Sequence, residues 1–131
     1  MVVDTSAVLA ILLGEREAEA FARAIEAADT CRISAANFVE AAIVIDTRGD
    51  AVASRQFDLF MRRAAIRVEA VTLEQTEVAR QAYRDFGKGR HSAGLNFRDC
   101  FSYALAKVLD EPLLFKGTDF GQTDVIVAGT D

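Results

Sequence analysis

Short apolar runs alternate with amphipathic stretches along the whole chain of 131 residues, and few folds accommodate that alternation. Residues 1–4 are an apolar run ending in an acid. Thr5 and Ser6 then suit a helix N-terminus, residues 7–13 are purely apolar, and Gly14 supplies the stop. Brief strand candidates recur at 31–34, 66–71, 113–115 and 125–128. Between them, residues 15–28, 35–47, 51–65, 73–86 and 96–109 carry apolar side chains at helical spacing. The 35–47 stretch is apolar almost all round, which predicts a buried helix. The alternation predicts an α/β domain with a mostly parallel sheet. In such sheets ligands collect beyond the carboxyl ends of the strands, where the strand order reverses.

The length suits one domain over residues 1–131, and no repeat, linker or low-complexity tract divides it. A composition that is 51% hydrophobic with a single proline excludes a chain too polar to collapse. The longest apolar run, 7–13, is too short to span a bilayer, and no basic residue precedes it as in a secretory signal. No membrane association and a cytoplasmic location are therefore expected. Cys31 and Cys100 lie far apart, with no second Cys or His at metal-ligand spacing, and read as reduced core thiols. The single histidine, His91, removes two-histidine acid/base pairs and multi-histidine metal centres, so acidic side chains must carry any catalysis. The formal charge of −5 is unevenly spread. Residues 1–47 hold 3 basic and 8 acidic groups, 48–107 hold 11 and 7, and 108–131 hold 1 and 5. An acidic chain with a basic middle can pair a cation-binding cluster with a phosphate-tracking surface.

Four acids stand out. Asp4 closes the first strand and Asp119 lies just past the penultimate one, so both project from the same edge of a parallel sheet. Glu40 is the only charged residue between Ile33 and Ile45, and no basic residue lies within a helical turn of it. A carboxylate in such surroundings must pair with a cation or neutralise. Asp99 follows Asn96 at the spacing of a capping pair. Each acid also has a purely structural reading: helix capping for Asp4 and Asp99, a turn for Asp119, a distant arginine for Glu40. Taken together, oxygen ligands without His or Cys suit Mg²⁺ or Mn²⁺ better than Zn²⁺.

The opening Met1-Val2-Val3-Asp4-Thr5-Ser6-Ala7, the mid-helix Glu40, Leu95-Asn96-Phe97-Arg98-Asp99-Cys100 and Lys116-Gly117-Thr118-Asp119-Phe120 together resemble the PIN-domain ribonucleases, specifically the VapC-type toxins. The resemblance implies a Rossmann-like three-layer α/β/α fold with a five-stranded, mostly parallel sheet. It implies an endoribonuclease using Mg²⁺, with Mn²⁺ as a substitute, held by Asp4, Glu40, Asp99 and Asp119. Ser6 and Thr118 match polar positions near the metals, and Asp124 is a further candidate for the acidic cluster. The implied partners are an RNA substrate and a VapB-like antitoxin, and a homodimer is expected. One departure is Arg98, where similar sequences commonly carry glycine; gripping a phosphate, pairing with a carboxylate and pointing to solvent from the first helical turn are its three readings, and the last is the favoured expectation. Two readings compete: a PIN-fold interaction module that no longer cuts, and a phosphoacceptor receiver-like domain. The second wants an acidic pair after the first strand, whereas Thr5 and Ser6 follow Asp4 here.

Overall fold

A computed structural model describes residues 1–130. Strands β1 (Val2–Val3), β2 (Cys31–Ser34), β3 (Ile66–Glu69) and β4 (Leu113–Leu114) form one sheet in the order β3-β2-β1-β4. All three pairings are parallel, with Val2 opposite both Arg32 and Leu113. Six helices connect and cover the strands: α1 (Thr5–Leu12), α2 (Ala18–Ala27), α3 (Ala35–Asp46), α4 (Ala51–Arg63), α5 (Leu73–Phe86) and α6 (Phe97–Leu109). Adjacent strand residues point to opposite faces, and the core divides accordingly. Val3, Ile33 and Leu114 pack with α1 to α4, whereas Val2 and Leu113 pack with α5 and α6. The expected three-layer α/β/α architecture follows from that division.

The sheet has four strands rather than the expected five. Near the C-terminus, Val127 forms only an isolated parallel bridge to Leu113. Leu113 N–H donates to Ile126 O at 2.8 Å and Ala128 N–H to Leu113 O at 3.0 Å, and the ladder stops there. The physical reason is that β4 ends at Leu114 and the chain then turns away, leaving one residue to pair with. Ile126 and Val127 are both exposed, so no burial pins a longer register.

Helix α1 begins as expected, with Asp4 as its cap and Gly14 at a φ of +63° closing it. Helix α3 departs from expectation. Ala41 and Ile45 face the core, but Val39 and Ile43, one turn apart, are 52% and 55% exposed. An all-round apolar sequence reports how much apolar surface a helix has and not how much the same chain can cover. Both cysteines are free and buried. Among the described residues no helix is long and apolar enough to cross a membrane.

The basic loop after α5 is folded back onto the start of α6. Lys88 N–H donates to Leu95 O at 2.8 Å, Leu95 N–H donates to Phe86 O at 2.9 Å, and Gly87 bridges Leu95. Gly87 has an ordinary negative φ, so its role is steric: a Cβ there would lie 2.2 Å from the Tyr83 carbonyl oxygen and 2.9 Å from the Tyr83 ring. Gly87→Ala should therefore overpack the α5–loop junction at a cost of about 1–3 kcal/mol. The expected readout is a thermal melt lowered by roughly 3–10 °C; an unchanged melting temperature would show that the junction yields freely.

Candidate active site

The chain runs from β1 outward to β2 and β3, then returns to place β4 on the other side of β1. The crevice beyond the carboxyl ends of β1 and β4 is thus the point where strand order reverses, the usual place for a ligand in such sheets. Asp4 follows β1 directly, and residues 116–119 follow β4. The two segments are stitched together: Asp4 N–H donates to Leu114 O at 2.9 Å, and Lys116 N–H donates to Ser6 Oγ at 2.9 Å.

Asp4 is buried, at 4% exposure, and its carboxylate is held on both oxygens. Oδ2 accepts from Ser6 N–H at 3.0 Å, and Oδ1 accepts from the Ser102 hydroxyl at 2.5 Å. The same hydroxyl lies 3.0 Å from Asn37 Oδ1. One proton cannot serve both acceptors fully, and the shorter, charge-assisted bond takes it. Asn37 also accepts from Thr5 Oγ1 on its carbonyl oxygen at 3.0 Å and donates from Nδ2 to Arg98 O at 3.1 Å. Asn37 and Ser102 are therefore part of the site's scaffold, and sequence reasoning missed both. The available signal was a lone polar residue on a buried face: Asn37 between Ala36 and Phe38, Ser102 between Phe101 and Tyr103.

Asp99 makes the expected capping box with Asn96. Asp99 N–H donates to Asn96 Oδ1 at 2.9 Å, and Asn96 N–H donates to Asp99 Oδ2 at 3.0 Å. The structural reading does not exhaust the residue, because its carboxyl is pushed up from 3.8 to about 6. Burial is the largest cause; the Asn96 N–H opposes it, and the fields of Asp4, Asp119 and Glu40 add to it. The contacts place the four acids at the same end of the sheet: Asp4 and residues 116–119 follow adjacent strands, Ser102 of α6 bonds Asp4, and Arg98, next to Asp99, pairs with Glu40. Asp119 itself is exposed, at the head of a short turn (Phe120–Gln122).

Two expectations are corrected. Arg98 does not point free to solvent: its Nη1 lies 2.6 Å from Glu40 Oε2, so the arginine on α6 is the distant partner that Glu40 requires. Asp124 does not extend the acidic set. Its carboxylate accepts from Tyr103 OH at 2.6 Å and pairs with Lys107 at 3.1 Å, and these contacts, the tyrosine foremost, hold it below its ordinary range. Thr118 is exposed beside the crevice, and Ser34, at the carboxyl end of β2, has a buried hydroxyl without a hydrogen-bond partner.

The donor set suits a hard divalent cation: four carboxylates, no histidine or thiol, and mutual repulsion that a cation would relieve. As the side chains lie, no three of them among the described residues meet at metal-holding distance. The reason is visible in their contacts, since Ser102 and Ser6 hold Asp4, Asn96 holds Asp99 and Arg98 holds Glu40.

Comparison with known proteins bears on the family and the fold. The family described as PIN domain matches residues 1–126. The VapC ribonuclease Mb0640 of Mycobacterium bovis is 50% identical over 125 residues, covering 95% of each chain. Ribonuclease VapC28 of Mycobacterium tuberculosis is 53% identical over 126 residues, with the same coverage. Among solved structures, Mycobacterium tuberculosis VapC20, described as a Sarcin-Ricin loop cleaving toxin, superposes with a TM-score of 0.74 at 18% identity over 95% of each chain. A toxin–antitoxin complex from Klebsiella pneumoniae gives 0.72 at 18% identity over 96% of this chain and 94% of that one. At such identity the structures speak to the fold alone.

The raised Asp99 carboxyl makes a prediction about the metal-free protein. The folded state binds this proton more tightly than the unfolded chain does, so the stability it contributes is full below about pH 3.8 and is lost as pH rises through about 6. Asp99→Asn removes the charge while an amide oxygen still accepts from Asn96 N–H. In EDTA at pH 7.5 this variant should melt a few degrees above the parent, and the gain should vanish near pH 4. A difference that does not change with pH would mean that the Asp99 charge costs the fold nothing.

Proposed function

The chain belongs to the PIN-domain family, among the VapC ribonucleases that it matches at 50% identity or slightly more over 95% of its length, and from that premise we propose that it is a Mg²⁺-dependent endoribonuclease acting as the toxin of a toxin–antitoxin pair. What supports the reading is that Asp4 and the segment bearing Asp119 stand beyond the carboxyl ends of the adjacent strands β1 and β4, where strand order reverses, with Asp99 and Glu40 joined to the same region through Ser102, Asn37 and Arg98. A cation bound there would lower the pKa of a water and offset charge on a phosphodiester. The chain's own part is to position. Ser102 and the Ser6 N–H fix the Asp4 carboxylate in one orientation, Asn96 fixes Asp99, and Lys116 N–H holds the Ser6 hydroxyl toward the segment bearing Asp119. A PIN-fold module that does not cut is the weaker reading, because no acid of the four is missing.

RNA as the substrate, Mn²⁺ as an acceptable substitute, a cytoplasmic location and a homodimer as the working unit belong to the same proposal. Cleavage of a labelled RNA should stop in EDTA and return with Mg²⁺ or Mn²⁺, whereas Zn²⁺ should restore it poorly. Asp99→Asn should abolish cleavage and toxicity while keeping the parent's circular dichroism. Cutting that survives exhaustive chelation, or full activity in the variant, would remove the metal mechanism.

A toxin with this chemistry requires restraint, and we assign that role to a VapB-like antitoxin. Its segment would cover the exposed Val39 and Ile43 of α3, on the same helix as Glu40. Glu40 already holds a guanidinium, so an arginine from the antitoxin would find its free acceptors at Asp99 and Asp119. Inhibition should weaken as Mg²⁺ rises, and replacing that arginine with alanine should restore cleavage before the complex dissociates. Inhibition indifferent to Mg²⁺ would point to occlusion from a distance instead.

A further inference from the structure

Asp119 is supported differently from the other three acids. Asp4 caps α1, Glu40 lies within α3 and Asp99 within α6, whereas Asp119 stands in the irregular stretch between β4 and the single turn Phe120–Gln122. It is exposed, so its place depends on how that stretch is tied down. At the front, Lys116 N–H donates to Ser6 Oγ at 2.9 Å, and the Lys116 ammonium pairs with Glu15 and, at 3.5 Å, with Glu17 between α1 and α2. In the middle, the buried Phe120 ring lies 5.2 Å from that of Phe115, centroid to centroid. At the rear, Asp124 accepts from Tyr103 OH at 2.6 Å and pairs with Lys107 at 3.1 Å.

The rear tie reaches Asp119 through a closed turn. Gln122 N–H donates to Asp119 O at 3.1 Å and Thr123 Oγ1 to Phe120 O at 2.6 Å, so residues 119–123 are bonded together and Asp124 follows them directly. On α6, Asp99, Tyr103 and Lys107 are spaced four apart, which sets them along one stripe of the helix. The helix that carries Asp99 therefore also holds the segment that carries Asp119. A buried tyrosine hydroxyl needs an acceptor, and a nearby carbonyl would serve. This one takes a carboxylate 21 positions away in a charge-assisted bond, and a lysine joins the same carboxylate. Burial foremost, and the bond to Asp124 after it, push the Tyr103 hydroxyl above its ordinary range, so it stays a donor at neutral and mildly alkaline pH. With Oδ1 bonded to Tyr103 and Oδ2 to Lys107, the Asp124 carboxylate is committed as an anchor.

We propose that Asp124 is a positioning residue for the cation site: held by Tyr103 and Lys107 of α6, it fixes the turn at 119–123 so that Asp119 is presented to the crevice in one place. The inference rests on the metal-dependent reading and adds to it a residue that touches neither cation nor substrate. The stretch bearing Asp119 is fastened at its front to the helix that Asp4 caps and at its rear to the helix that carries Asp99. Carboxylates from separate elements need such fastening if they are to serve one ion, because affinity depends on ligands held in place before the ion arrives.

The test is calorimetric titration of the metal-free full chain with Mn²⁺, without RNA. Tyr103→Phe keeps the ring and removes only the hydroxyl, and the Asp124 side chain is 58% exposed, so neither Tyr103→Phe nor Asp124→Ala opens the core. Each should weaken Mn²⁺ binding about ten-fold while keeping the parent's circular dichroism. The double variant should bind no more weakly than the weaker single one, since both remove the same contact. Asp124→Asn, whose amide oxygen still accepts from the Tyr103 hydroxyl, should stay nearer to the parent than Asp124→Ala does. Parent-like Mn²⁺ binding by Tyr103→Phe and Asp124→Ala, with only the melting temperature lowered, overturns the proposal, because the contact then serves the fold alone. Asp124→Asn binding as weakly as Asp124→Ala also overturns it, since the cation then responds to the Asp124 charge itself. The two failures are distinguishable: a parent that binds no Mn²⁺ removes the metal reading and the positioning role together, whereas a parent and variants that bind Mn²⁺ equally remove the positioning role alone.

Discussion

A carboxylate buried at the end of β1 sets the terms for the rest of the molecule. Burying an ionised group costs several kcal/mol unless hydrogen bonds replace its water, and Asp4 is 4% exposed. Its replacements come from two directions, the first turn of α1 through Ser6 N–H and the middle of α6 through Ser102, and the Ser102 hydroxyl also lies against the Asn37 side chain of α3. Strand β1 is only two residues long and cannot by itself fix helices on both faces of the sheet. The polar node does that. With Ser102 held at Asp4 and the Arg98 carbonyl held at Asn37, the N-terminus of α6 has one place to sit, and it brings Asp99 to the crevice.

Different parts of this arrangement were legible to different degrees. The alternation of strand and helix, the caps at Asp4 and Asn96, and the shared sheet edge of Asp4 and Asp119 could be read from local pattern, because each depends on neighbours in sequence. The fifth strand could not, because a run such as Val125–Ile126–Val127 states a preference for extension, whereas a strand also needs a partner long enough to pair with. Exposure of Val39 and Ile43 was hidden for a related reason: periodicity does not say where the chain runs out of surface to cover a helix. The partners of Asn37 and Ser102, and which distant arginine meets Glu40, could not be read, because each contact joins residues about 60 or more positions apart.

The electrostatics follow from the same geometry. The electrostatic cost of the crevice shows at Asp99, whose half-buried carboxyl is pushed up by burial first and by the fields of Asp4, Asp119 and Glu40 after it. Asp4 is hydrogen-bonded on both oxygens, and Asp119 stands in water. Asp124, which a count of acids places near the cluster, is neutralised locally by Tyr103 and Lys107. Local bonding thus sorts which acids stay available, and proximity in sequence does not.

Glu40 is the remaining member, and its arginine shows how the crevice tolerates being empty. The Arg98 side chain is 58% exposed and the Glu40 side chain 16%, so the pair stands at the water's edge, where such contacts contribute only about 1 kcal/mol or less. That is enough to spare the cluster one uncompensated charge and too little to lock Glu40 away from a divalent cation with several oxygens to offer it. The backbone of Arg98 is anchored, since Asn37 Nδ2 holds its carbonyl at 3.1 Å, and the side chain is not. A guanidinium displaced from Glu40 would therefore stay on the first turn of α6, beside Asp99 in sequence.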